Sequence, residues 1–339
     1  MSKKKIIYKV GIPLRKYLQH YSRIAKLPVK YEDLLRYEIA IPLLDKHGKD
    51  TFWEKVFFPQ HEMDELNRGL TQIYSMLKAG GDTSVMEHLY VDRIDYCTFG
   101  NTNPFRIRIV NHFNDNYDYF YVKIADASRV YGLELEHILS PNRINYMVDG
   151  NTLIEEHIAG IPGDQFIKNW LNNKETNEIR IAKEFVKFNE RCFVRLLGDM
   201  RSYNYVIDIT PDFEEVQYRI RAIDFDQQSY EGRKSLYMPQ FFKENKAFVD
   251  LCQKHLNAET VKQYQKEERS LIAKRLKSSR YRLKDMFDAM IQDEVSSQEK
   301  IKELREHLSE HYNEESFLNL LHMGDVLKKN LRMVLRKHL

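Results

Sequence analysis

The sequence predicts an α+β protein in which a strand-rich segment precedes a mostly helical one. Between residues 88 and 157, short runs rich in β-branched and aromatic residues follow one another, and from residue 158 onward apolar residues recur mainly at helical spacing. The chain has 339 residues, enough for a sizeable core. It contains 21 Tyr and 18 Phe and no low-complexity stretch, which indicates a folded protein throughout.

The first 87 residues predict an α/β addition at the N-terminal end. Residues 37–58 form two apolar runs around a glycine-containing turn, which predicts two strands. Residues 60–80 lead into the Gly80-Gly81 pair and predict a helix with a defined stop, because apolar residues recur there at steps of three and four. These apolar positions are Met63, Leu66, Leu70, Ile73 and Leu77.

The rest of the chain predicts two further domains, 88–157 and 158–339. The first has strand-like runs at residues 88–99, 105–113, 118–126, 144–150 and 152–158, and one helix-like run at 128–139. The second has an amphipathic helix at 177–197, a hairpin at 205–225 with a Pro-Asp turn, and several helices with charged outer faces over 240–339.

Charge and cysteine content narrow the class of protein. The formal net charge is +3, from 53 basic and 50 acidic residues, which argues against a dedicated nucleic-acid-binding protein. Cys97, Cys192 and Cys252 share no short spacing, so we expect neither a disulfide framework nor a zinc site, and a reducing, cytoplasmic location. The basic N-terminal stretch has no apolar core of the signal-peptide kind, and no apolar run reaches the length of a membrane span.

Between residues 123 and 224, five charged or amide positions follow one another in an order that suits the binding of phosphate and a metal ion. They are Lys123 in the apolar strand "YFYVKIAD", Glu134 or Glu136 in "YGLELEHIL", Asp199 and Asn204 in "GDMRSYN", and Asp224 in "AIDFD". Phosphoryl transfer from a nucleotide requires mainly positioning and neutralisation of phosphate charge. A lysine held by a carboxylate can contact phosphates, carboxylate and amide oxygens suit magnesium, and an Asp can accept the proton of an attacking hydroxyl.

On these motifs the chain resembles the protein-kinase-like superfamily, and within it the aminoglycoside and choline phosphotransferase branch. The resemblance covers roughly residues 88–230 and rests on "LGDMRSYN", "AIDFD" and the segment "NTLIEEHIAGIPGDQF". It implies a two-lobed kinase-like fold, with residues 1–87 as an N-terminal α/β addition and the last hundred residues as a helical extension. It also implies ATP and Mg²⁺ as cofactors, and a small molecule with a hydroxyl group as the acceptor.

The resemblance also implies a role for each motif residue. Asp199 is then the catalytic base, and Asn204 and Asp224 are metal ligands. Lys123 binds phosphate and pairs with Glu134, with Glu136 as the alternate partner. The main chain of Glu155, Glu156, His157 and Ile158 is implied to receive the adenine.

Two alternatives stay open on the sequence. A pseudokinase, which binds nucleotide or acts as a scaffold for a protein partner, is favoured by Leu197 where the family has His and by a turn at 97–105 with Gly100 as its single glycine. A transferase of the same fold that moves AMP instead of phosphate is the other. The basic stretches 274–284 and 326–339 predict solvated helix faces; contact with an anionic substrate, nucleic acid or membrane surface is the alternative interpretation.

Overall fold

The computed structural model describes residues 5–211 and 216–338. The chain divides into two compact units. The first comprises the residues up to Ala127 together with Ile144–His157, and the second comprises Ser128–Arg143 together with the residues from Ile158 onward. The first is built around a seven-stranded sheet and the second is mostly helical. The predicted α+β class is therefore confirmed.

The seven strands of the first unit are all antiparallel to their neighbours, in the order β1-β2-β3-β4-β5-β7-β6. Their bounds are β1 (Ile39–Leu44), β2 (Asp50–Phe57), β3 (Leu89–Cys97), β4 (Phe105–Asn111), β5 (Tyr117–Ile124), β6 (Tyr146–Asp149) and β7 (Thr152–Glu156). The strand pair predicted within residues 37–58 is confirmed as β1 and β2, and it continues the same sheet through β3. Residues 5–87 thus share one unit with the strands that follow.

Among the described residues of this unit, three α-helices accompany the sheet: α1 (Ile12–His20), α2 (Tyr31–Leu34) and α3 (Gln60–Lys78). Helix α3 is the one predicted over residues 60–80, and it buries Leu66, Leu70 and Ile73 in the core of the unit. Successive side chains of a strand point to opposite faces of the sheet. In β5, Phe120 and Val122 therefore join this core, while Lys123 points to the other face.

The second unit contains eight helices and three strands among its described residues. The helices are α4 (Ala127–Leu139), α5 (Gly163–Asn169), α6 (Glu178–Arg195), α7 (Lys246–His255), α8 (Ala258–Ser278), α9 (Arg280–Met290), α10 (Gln298–Tyr312) and α11 (Met323–Leu335). The strands β8 (Ile161–Pro162), β9 (Tyr205–Pro211) and β10 (Val216–Ala222) form an antiparallel sheet in the order β10-β9-β8. No described helix is long and apolar enough to cross a membrane.

The hairpin predicted over residues 205–225 is confirmed by the pairing of β9 with β10. The turn that joins them, including the Asp of the predicted Pro-Asp turn, lies outside the described residues. Helix α4 follows the lysine-bearing strand β5 in the chain, yet it belongs to the second unit from Ser128 onward. The reason lies in close packing: a Cβ atom added to Gly132 would come within 2.9 Å of Phe225 and 3.0 Å of Gln228.

Candidate functional site

The loop that carries Asp199 begins where helix α6 ends. Leu196 and Asp199 both adopt left-handed backbone conformations, with φ of 52° and 57°. Such conformations are uncommon for residues other than glycine, and the surrounding structure has to hold them. Main-chain hydrogen bonds hold this loop: Gly198 N–H donates to the oxygen of Gln227 at 3.1 Å, and Asp199 N–H donates to the oxygen of Leu236 at 3.0 Å.

Asn204 connects this loop to the hairpin. Its Nδ2 donates to the main-chain oxygen of Asp199 at 2.7 Å. Its own main-chain oxygen accepts the N–H of Ile223 at 3.0 Å, next to Asp224. Asn204 immediately precedes β9 and Asp224 follows β10, and these two strands are antiparallel. The predicted residues of this unit, Asp199, Asn204 and Asp224, are therefore gathered at one end of the hairpin.

The carboxylate of Asp199 is paired with an arginine from its own loop. Arg201 Nε donates to Asp199 Oδ1 at 2.7 Å, and Arg201 Nη1 donates to Glu244 Oε1 at 3.0 Å. The hydrogen bond with Asp199 is the main cause that raises the pKa of the Arg201 guanidinium. The side chain of Asp199 is 32% exposed and that of Arg201 is 35% exposed, so the pair remains open to a ligand. Sequence reasoning missed Arg201; its position two residues after Asp199 was the available signal.

The carboxylate of Asp224 is paired with an arginine from helix α4. Arg129 Nη1 lies 2.8 Å from Asp224 Oδ1 and 2.8 Å from Asp226 Oδ1. The N–H of Asp226 also donates to Asp224 Oδ1, at 3.0 Å. The Arg129 side chain is 2% exposed, against 32% for Asp224. Sequence reasoning missed Arg129 too, although a single arginine in the apolar start of a helix was a visible signal.

Lys123, in the first unit, forms a buried ion pair with Glu155. Its Nζ lies 2.7 Å from Glu155 Oε2, and the side chains are 9% and 5% exposed. The strand register explains the pair: Glu155 is aligned with Tyr121, two residues before Lys123 and on the same face of the sheet. Lys123 Nζ also lies 5.1 Å from the centroid of the Tyr121 ring.

Glu134 and Glu136, the implied partners of Lys123, lie on helix α4 and have arginine partners within the second unit. Glu134 Oε1 accepts from Arg282 Nε at 2.5 Å, and Glu136 pairs with Arg195 of helix α6. Both glutamates are buried. Within the first unit Lys123 pairs with Glu155, a residue for which the resemblance implied only a main-chain role, and the pairing of Lys123 with Glu134 or Glu136 stays a prediction.

Part of the segment implied to receive adenine, Glu155 and Glu156, is already paired through its main chain with neighbouring residues of the sheet. Glu155 is aligned with residues of both β5 and β6, and Glu156 N–H donates to the oxygen of Asn145 at 3.1 Å. His157 follows the strand, its Nδ1 lying 3.2 Å from the hydroxyl oxygen of Tyr121. Burial is the main cause that lowers the pKa of the His157 imidazole. Ile158, the last of the four, is buried in the second unit.

The donor atoms at the hairpin end fit a magnesium ion in kind. Magnesium binds carboxylate and amide oxygens and completes its shell with water and substrate phosphates. Asn204 directs its amide nitrogen to the loop, and Asp224 is one-third exposed. Arg129 disfavours binding of the ion, because its positively charged guanidinium already forms an ion pair with Asp224 Oδ1. Among the described residues, no three or more His, Cys, Asp or Glu side chains are grouped so as to hold a metal by themselves.

The chain matches no family model, and no curated protein is similar enough to match. Among solved structures it is similar to the autoinhibited serine kinase domain of titin, with a TM-score of 0.28 and 13% identity over 70% of this chain and 91% of that chain. Titin kinase with its flanking domains gives a TM-score of 0.27 and 14% identity, over 74% of this chain and 55% of that chain. The Rad53 kinase domain with SCD2 gives a TM-score of 0.22 and 12% identity, over 54% of this chain and 86% of that chain. These TM-scores are all below 0.5.

Proposed function

We propose that this protein is an ATP- and Mg²⁺-dependent phosphotransferase that acts on a hydroxyl group of a small molecule. The observation that carries the proposal is the linkage made by Asn204. One residue is bonded both to the main chain of Asp199 and to the main chain beside Asp224. These hydrogen bonds hold the loop of Asp199, a partly exposed acid, next to Asn204 and Asp224, whose side-chain oxygens suit a hard cation.

Asp199 is the proposed general base. Its Oδ1 accepts from Arg201, and its Oδ2 has no hydrogen-bond partner among the described residues. Holding one oxygen fixes the orientation of the carboxylate and leaves the other to accept the proton of a substrate hydroxyl. A base positioned in this way contributes typically about 10²- to 10⁴-fold to the rate.

Asn204 and Asp224 are the residues that would hold Mg²⁺, and the bound ion would neutralise phosphate charge. Lys123 is the proposed phosphate-binding cation, oriented by Glu155 at 2.7 Å. In kinase-like proteins this lysine is on the third strand of its lobe, and Lys123 is on the third strand after the β1–β2 hairpin, followed by a helix. The main chain after β7, at His157 and Ile158, is proposed to receive the adenine.

A direct test follows ATP labelled on its γ-phosphate. The purified chain is first screened by thermal shift against hydroxyl-bearing metabolites in the presence of a nonhydrolysable ATP analogue, and the hits are then assayed for transfer of the label. Wild type should transfer label to a hydroxyl acceptor, and Asp199→Asn should not. Asp208→Asn is the matched control, because Asp208 is a partly exposed acid within strand β9 and away from the loop. Absence of transfer to every hit would overturn the proposal.

A nucleotide-binding scaffold for a protein partner is the second candidate function. The Arg129–Asp224 ion pair favours it, because a guanidinium already neutralises the proposed metal ligand. This candidate predicts that ATP stabilises the chain while no label is transferred. Label transferred from the α-phosphate of ATP, and not from the γ-phosphate, would identify AMP transfer instead.

A further inference from the structure

Arg129 occupies a position between two acids that the proposed function leaves unexplained. Its Nη1 bridges Asp224 Oδ1 and Asp226 Oδ1 at 2.8 Å each, and its Nη2 donates to the main-chain oxygen of Ile223 at 3.3 Å. Charge-assisted hydrogen bonds of this kind are roughly twice as strong as neutral ones. The arginine therefore contacts both the proposed metal ligand and the strand end that presents it.

The packing of helix α4 holds this arginine in place. Ser128 Oγ donates to the main-chain oxygens of Gln228, at 2.6 Å, and Asp226, at 3.2 Å. One turn further along, Gly132 brings the helix close enough that a Cβ atom there would meet Phe225 and Gln228 at 3.0 Å or less. Arg129 is consequently fixed by the helix that carries it, and it differs in this respect from a mobile surface cation.

The guanidinium of Arg129 lies against both carboxylates, with Nη1 at 2.8 Å from one oxygen of Asp224 and one oxygen of Asp226. A divalent ion bound to Asp224 would therefore be close to this positive charge, and like charges repel strongly in a partly buried site. If the ion bound Asp224 Oδ1, that atom would exchange its hydrogen bond from Arg129 for a metal bond.

We infer that Arg129 is a built-in counter-cation for Asp224 and Asp226 that competes with the divalent ion and sets the metal affinity of this centre. The inference rests on the proposed function in one respect, in taking Asp224 as a metal ligand. It goes beyond that function by assigning a specific role to Arg129. The wild-type chain should accordingly bind divalent ions weakly when no nucleotide is present.

The test measures binding of Mn²⁺ alone to the full chain by electron paramagnetic resonance, with no nucleotide and no activity readout. Arg129→Gln should bind Mn²⁺ about 10- to 100-fold more tightly than wild type, because it removes a positive charge next to the ion. Arg195→Gln is the matched control: it also removes a buried arginine that pairs with an acid on helix α4, here Glu136, and it should bind like wild type. The double variant Arg129→Gln/Asp224→Asn should lose the gain.

Thermal melting supplies a second measurement if Arg129→Gln is poorly folded by itself. Mn²⁺ should raise the melting temperature of Arg129→Gln, since the ion replaces the missing guanidinium, and it should leave that of Arg195→Gln nearly unchanged. Equal Mn²⁺ affinity in Arg129→Gln and wild type, with no stabilisation beyond the control, would overturn the inference.

The outcome is separable from that of the phosphotransferase assay. Tighter Mn²⁺ binding in Arg129→Gln without transfer of label by wild type would uphold the inference and contradict the proposed function. Transfer of label by wild type, together with Mn²⁺ binding that is unchanged in Arg129→Gln, would uphold the proposed function and contradict the inference.

Discussion

The side-chain amide of Asn204 donates a hydrogen bond to the main-chain oxygen of Asp199 across 2.7 Å. Because an amide side chain has one donor end and one acceptor end, this bond directs the Oδ1 atom of Asn204 away from the loop that carries Asp199. The two residues therefore have different parts in the site. Asp199 presents a carboxylate to solvent, and Asn204 shapes the loop while offering an oxygen.

Substitution of these two residues should give different kinetic results. Asp199→Asn keeps the side-chain shape and removes the base, so kcat should fall about 10²- to 10⁴-fold, or roughly 3–5 kcal/mol of barrier. ATP affinity should hardly change, because an interaction made only in the transition state does not contribute to ground-state binding. Asn204→Ala should lower kcat and also raise the Mg²⁺ concentration required. Steady-state kinetics at varied ATP and Mg²⁺ measure both, and full activity in Asp199→Asn would rule out the catalytic role.

Magnesium and ATP together should stabilise the folded chain through Asp224. A ligand present at a hundredfold excess over its Kd adds about 2.7 kcal/mol to the free energy of unfolding. Asp224→Ala should remove most of the magnesium-dependent part of this stabilisation, while Asp208→Ala, in strand β9, should keep it. Urea denaturation with ATP, with and without Mg²⁺, gives the comparison. An unchanged magnesium effect in Asp224→Ala would exclude this residue as a ligand.

The buried pair of Lys123 and Glu155 should matter for stability. Lys123→Met removes the cation 2.7 Å from a carboxylate that is 5% exposed, and loss of one partner of a buried pair costs about 3–5 kcal/mol. Lys123→Met combined with Glu155→Leu should recover much of that loss, because the buried charge is then gone. The matched control is Lys246→Met, whose pair with Asp250 is 75% and 53% exposed and worth about 0.5 kcal/mol or less.

Chemical denaturation of the single and double variants measures this coupling. A loss in Lys123→Met no larger than that in Lys246→Met would contradict the structural assignment of the buried pair.

The imidazole of His157 should make stability depend on pH. Burial lowers its pKa in the folded state, with Arg106 and Lys78 acting in the same direction and Asp118 opposing them. As pH falls below the ordinary His value of about 6.5, the unfolded chain takes up the proton first, so the free energy of unfolding decreases. His157→Gln should flatten this dependence between pH 7 and pH 5. His47→Gln, at an exposed position in the turn between β1 and β2, serves as the control.

Urea denaturation at several pH values within that range gives the slopes. A wild-type slope retained in His157→Gln would show that another group is responsible.

Local sequence predicted the secondary structure around the candidate residues of the second unit. The loop "GDMRSYN" places Asp199 and Asn204 five positions apart after an amphipathic helix, and the hairpin that follows has the alternation of a strand pair. In an antiparallel hairpin the start of the first strand lies beside the end of the second, so the pairing of β9 with β10 brings Asp224 close to Asn204. The sequence predicted the two strands, and their pairing accounts for this proximity.

The sequence by itself predicted the order of strands β1 to β7, the helices α3, α4 and α6, and the β9–β10 hairpin, but it did not predict α1, α2 or β8. The tertiary structure alone decided which oppositely charged residues meet when they are far apart in the sequence. Arg129 and Asp224 are 95 positions apart, and they meet because helix α4 packs through Ser128 and Gly132 onto the segment after β10. Lys123 meets Glu155 because of strand register. Ion pairs between distant residues depend on helix placement and register, which the spacing of residues along one segment does not specify.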